Sequence, residues 1–149
     1  MDEQTIAKET RDVGLILSDG TSLAGEVFLN LYGAHHFGPQ RVGDLLLGPE
    51  RFLPLRSASG TRLVNIAHIL QARVGAAEET DPLMLLGERH AVAVTTASGE
   101  RIETVLYANL PDGSQRVKDY LNQPLRFFTF FLPEAVLYLH RDAILWVED

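Results

Sequence analysis

The side chains best suited to chemistry in this chain are five histidines, and two of them, His35 and His36, stand together in the segment YGAHHFGPQ. Two imidazoles in one loop are candidate metal ligands, with His68, His90 or His140 and a carboxylate to complete the set. Adjacent residues point in different directions unless the loop bends, and no HExxH spacing puts two histidines on one helical face. A solvated or aromatic-packed loop is the plainer reading of the pair. The chain has no cysteine, which removes thiol nucleophiles, disulfides and thiolate zinc sites. No serine sits in a G-x-S-x-G elbow, and Ser18, Ser22, Ser57, Ser59, Ser98 and Ser114 fall mainly in turn-like stretches. Glu78 and Glu79 lie in a connecting segment, while Glu26 and Glu103 read as solvent-facing strand residues. The glycines occupy hairpin turns and isolated breaks rather than a phosphate-binding loop. No catalytic residue and no cofactor is assigned.

The elements that must position any site follow from an internal repeat. Residues 41–72 match residues 116–147 at a constant offset of 75. RVGDLLLGPERF lies over RVKDYLNQPLRF, pairing Arg41 with Arg116, Val42 with Val117, Asp44 with Asp119, Leu46 with Leu121, Pro49 with Pro124, Arg51 with Arg126 and Phe52 with Phe127. Upstream, Gly20 in VGLILSDGT corresponds to Gly99 in VAVTTASGE at a different offset, so the loop before Arg41 is the longer one. The expected organisation is a unit at 10–75, a linker at 76–87 and a second unit at 88–149. Each opens on a β-hairpin around Asp19-Gly20 or Ser98-Gly99. A short helix with Val42, Leu45 and Leu46 on one face ends before a proline. Three strands follow at 52–56, 62–65 and 69–74, and again at 127–132, 135–139 and 144–147.

A residue present in both copies most simply serves folding. Arg41, Asp44, Arg51 and Phe52, with Arg116, Asp119, Arg126 and Phe127, are therefore read as structural. Asp44 and Asp119 are placed to pair with the arginine three residues before, to cap the helix, or to meet Arg51 or Arg126. His68 aligns with Ala143 and Asn65 with His140, so the unit requires neither histidine.

Strand order and hydrophobic pattern over most of each unit resemble small SH3-like or Sm-like β-barrels, and LVNIAHILQARV is similar to the last two strands of an Sm-like fold. The helical turn lies here between the second and third strands, not before the first. The resemblance implies a mainly β fold: a tandem duplication of a five-stranded barrel unit related by a pseudo-two-fold. It carries over no functional residues.

The strand FFTFFLP at 127–133 is apolar on both faces. One face needs cover from outside its own unit, which makes Phe127, Phe128, Phe130 and Phe131 a candidate interface with the sister unit, the linker at Leu83 to Leu86, or another chain. The 149 residues are 46% hydrophobic and 22% charged with a formal net charge of −7, which excludes a disordered chain and disfavours a nucleic-acid partner. The start lacks the pattern of a secretory signal, and no apolar run is long enough for a membrane span. The expectation is a cytoplasmic, non-catalytic interaction or regulatory module that binds a protein or small ligand, with possible self-association. An Sm-like nucleic-acid binder and a small metal-dependent enzyme using His35 and His36 are the alternatives.

Overall fold

Alternation sets the first strand. Arg11, Val13 and Leu15 are all buried, as a two-residue period requires when one face of a strand meets a core. In the computed structural model, which describes residues 8–30 and 40–149, this segment is β1 (Lys8–Leu17), paired antiparallel with β2 (Ser22–Asn30). The turn between them closes through the Gly20 N–H, which donates to the Leu17 carbonyl at 2.9 Å. His35, His36 and nearly all of loop 32–40 lie outside the described residues.

The helix α1 (Val42–Leu47) buries Val42, Gly43 and Leu46. It is followed by β3 (Phe52–Ser57), β4 (Gly60–Asn65), a 3₁₀ turn (Ile66–His68) and β5 (Ile69–Gly75). Segment 76–87, expected as the linker, holds α2 (Ala76–Glu79) and a 3₁₀ turn (Pro82–Leu85). Beyond it come β6 (Glu88–Thr96), β7 (Arg101–Ala108), α3 (Val117–Leu121), β8 (Phe127–Phe131), β9 (Ala135–His140), a 3₁₀ turn (Arg141–Ala143) and β10 (Ile144–Glu148). The matched elements start at Val42 and Val117, Phe52 and Phe127, Gly60 and Ala135, and Ile69 and Ile144.

The chain is mainly β, and the ten strands of the described residues belong to one sheet in the order β10-β6-β7-β8-β9-β5-β1-β2-β3-β4. Every ladder in it is antiparallel. Each half contributes an open run of five strands, the fifth beside the first. Among the described residues no ladder closes either run into the expected barrel. The halves meet edge to edge where β5 pairs with β9, from Gln71 opposite Leu139 to Gly75 opposite Ala135. This departs from the expected pseudo-two-fold, because a two-fold axis pairs a strand with its own counterpart. Here the fifth strand of one half pairs with the fourth of the other, which leaves a fourth strand (β4) and a fifth strand (β10) at the two ends of the sheet.

Two hydrophobic cores pack against this sheet. Phe127, Val136 and Tyr138 join the first, with Val13, Leu15, Val27, Leu46 and Val74 among others. Phe128, Phe130, Leu137 and Leu139 join the second, with Val94, Ile102 and Leu106. Strands β8 and β9 are apolar on both faces because each face meets a different core.

Candidate interaction site

The joint between the halves is organised around one buried carboxylate. Arg11 shares the inward parity of Val13 and Leu15, and a guanidinium removed from water needs an acid beside it. Glu79, at the end of α2, supplies that acid and is itself fully buried. Its Oε1 accepts from Arg11 Nη1 at 2.7 Å and from the Val42 N–H at 3.2 Å. Its Oε2 accepts from the Gly43 N–H at 3.2 Å and from the Tyr138 hydroxyl at 2.5 Å. One side chain thus ties β1 and α1 of the first half to β9 of the second.

The packing around this carboxylate is tight. A Cβ on Gly43 would stand 2.9 Å from the Tyr138 ring, so only glycine admits that approach. Burial, and after it the Glu79 charge, pushes the Tyr138 phenol above its ordinary value, so the hydroxyl stays protonated and donates. Arg41 extends the network outward, donating from Nη2 to Asp81 at 2.5 Å and from Nε to the Glu79 backbone carbonyl at 3.1 Å. Sequence reasoning left Glu79 in a linker. The signal that finds it is Arg11, a charged residue on the buried parity of a strand.

The repeated residues divide between local and long-range work. Asp44 accepts the Arg41 backbone N–H at 2.8 Å, and Asp119 accepts that of Arg116 at 3.2 Å, so both aspartates cap their short helices. Asp119 also holds the exposed Arg116 guanidinium at 2.9 and 3.0 Å. The hydrogen bonds from Arg116 keep its carboxyl below the usual range. Arg126 reaches across the joint to the end of α1, where Nε donates to the Leu46 carbonyl at 3.2 Å and Nη2 donates to the Gly48 carbonyl at 3.0 Å and to Leu46. That guanidinium satisfies helix-end carbonyls that have no partner within the helix. Phe127 follows it into the first core. Arg51 and Phe52, the matching pair, are both exposed, and among the described residues the Arg51 side chain makes no hydrogen bond or ion pair.

The histidines do not converge. His140 Nδ1 accepts the Asp142 N–H at 3.0 Å, as Asn65 Oδ1 accepts the Ala67 N–H at 3.0 Å, so the aligned pair performs one capping task with two side chains. His140 also sets its ring edge-on to Phe127, with centroids 5.1 Å apart. His90 Nε2 meets the Gln115 carbonyl at 2.7 Å. Ser18 Oγ and His68 Nδ1 lie 2.8 Å apart at the surface, but among the described residues no third group orients His68 as a catalytic base requires. Beneath this pair the Ser18 N–H donates to the His68 carbonyl, and the same backbone bond joins Ala97 to Ala143, where neither side chain exists. Among the described residues no three His, Asp or Glu side chains are grouped to hold a metal ion.

The clefts follow the same division. One of about 300 Å³ lies between α1 and β3, lined by Phe28, Asp44, Leu45, Phe52 and Pro54. Another of about 210 Å³ lies between the two hairpin turns, lined by Leu17, Leu70, Ala97 and Leu139. Gln40, the described residue of loop 32–40, lines the first.

Large apolar side chains remain uncovered at both ends of the sheet, and also at Leu47 and at Leu83, Leu85 and Leu86 in the connecting segment. Phe52 and Leu63 stand exposed beside the β4 edge, and Leu145 and Trp146 on β10. Among the described residues no helix is long and apolar enough to cross a membrane. No family model, curated protein or solved structure matches the chain.

Proposed function

We propose that the chain is a tandem of two copies of one β-rich unit and that it works as a non-catalytic protein-interaction module, docking partners on the open edges β4 and β10. The carrying observation is that, among the described residues, each end of the sheet combines a strand whose outer edge is unpaired with exposed apolar side chains. An edge strand offers a row of unpaired N–H and C=O groups, a ready template for another chain, and flanking apolar side chains add specificity to it. The formal charge of −7 favours a protein over a polyanion. So does the engagement of Arg41 by Asp81 and of Arg56 by Glu26.

The test is a photocrosslinking amino acid introduced in cells in place of Leu63, Leu145 or Glu103, the last an exposed residue on the interior strand β7. Adducts with protein are expected from the two edge positions and not from the control. Equal yields at all three positions overturn the reading.

A further inference from the structure

We infer that the partner these edges fit is a second copy of this chain, bound head to tail with β10 of one copy against β4 of the next. This rests on the interaction-module reading and names its partner. The β5–β9 joint is the template, because β10 is the counterpart of β5 and β4 the counterpart of β9. Carrying the internal register to the edges, Gln71 opposite Leu139 becomes Trp146 opposite Val64, and Ala72 opposite Tyr138 becomes Val147 opposite Leu63. Arg73 opposite Leu137 becomes Glu148 opposite Arg62, a cross-strand pair of opposite charge.

Burial supports the same contact. Tyr138 is 2% exposed inside the joint, whereas its counterpart Leu63 is 67% exposed; Phe127 is 1% exposed and its counterpart Phe52 is 50%. These side chains differ in cover because one set has a neighbouring half against it and the other does not. Trp146, at 54%, is the counterpart of buried Gln71. The receiving face is present too: Leu121, Ile144 and Val147 are only partly buried against the second core. Arg51, whose side chain makes no hydrogen bond or ion pair among the described residues, then does what Arg126 does. In the docked pair it reaches the end of the neighbour's α3, where the Leu121 and Gln123 carbonyls correspond to those of Leu46 and Gly48.

Charge selects this pairing over like-with-like. Head to tail, Glu148 of one copy meets Arg62 of the next, whereas two β10 edges offer no cation to either Glu148 and two β4 edges offer no acid to either Arg62. Each head-to-tail contact leaves a free edge at either end, so copies add until the assembly closes as a ring or continues as a filament.

The test uses the full chain and light scattering over a range of concentrations. The wild type is expected to gain mass in steps of 16.5 kDa. Arg62→Glu and Glu148→Arg, both at exposed positions and checked by circular dichroism for unchanged folding, each weaken association about tenfold. Mixing the two variants restores it, because every joint between unlike chains again pairs opposite charges. Arg51→Ala weakens association without lowering the melting temperature. A wild type that stays single up to millimolar concentration overturns the inference, and so does an assembly indifferent to the reversals or a mixture that does not recover. If Leu63 crosslinks to a different protein while the purified chain stays single, this inference falls and the interaction-module reading stands. If neither edge crosslinks at all, both fall.

Discussion

Removing the Glu79 side chain takes from buried Arg11 its fully buried partner, leaving it only the half-exposed Glu9 at 3.0 Å, and strands the Val42 and Gly43 amides and the Tyr138 hydroxyl. Breaking a buried pair from one side is costly, so Glu79→Ala is expected to lose about 3–5 kcal/mol of stability. Tyr138→Phe, which deletes one donor, is expected to lose about 1–3 kcal/mol. Denaturant titration of both variants checks the ranking, and equal losses would contradict it. His140 gives the fold a pH dependence of definite sign. Burial holds its imidazole below the ordinary value of 6.5, against the opposing pull of Asp142 and with smaller help from Arg141 and Arg126. The unfolded chain takes up this proton more readily, so the contribution of the neutral ring is full above about pH 6.5 and is lost as the pH falls below it. Asparagine does the same capping at position 65 without titrating. His140→Asn is therefore expected to lose less melting temperature than the wild type between about pH 7 and about pH 5.5.

At the level of elements, the α1 carbonyls are closed by an arginine from the other half, and the cost of losing it is predictable. Arg126→Ala is expected to destabilise the fold by about 1.5–3 kcal/mol, the range of hydrogen bonds to a charged group, measured by denaturant unfolding. Most element boundaries were legible in the sequence because they depend on local pattern. The Val13, Leu15 alternation marks β1, the Asp at the third helical position marks each short helix, and the matched Phe52 and Phe127 mark where β3 and β8 begin. The double apolar face of FFTFF was legible for the same reason, and its cover by both cores follows from it. The pairing of β5 with β9 was not legible, since a strand's alternation tells which face is buried and not which neighbour takes its edge. Nor was Glu79, whose burial depends on Arg11 arriving from 68 residues away. The shared capping role of Asn65 and His140 was hidden behind two residue types that look unrelated in a linear alignment.

For the whole molecule, the consequence is that a fourth-to-fifth strand contact built into the chain once remains available at both of its ends. The histidine pair His35–His36 plays no part in this account, and the residues that matter at the edges are a short list: Arg51, Phe52, Arg62, Leu63, Trp146 and Glu148. The chain has one tryptophan, and it stands on the β10 edge, which makes the central claim directly readable. The decisive measurement is collisional quenching of Trp146 fluorescence by acrylamide as protein concentration rises, in the wild type and in Arg62→Glu. The account predicts that the wild-type tryptophan becomes protected as mass increases while the variant's stays accessible over the same range. Quenching that is equal in both proteins at every concentration would contradict it.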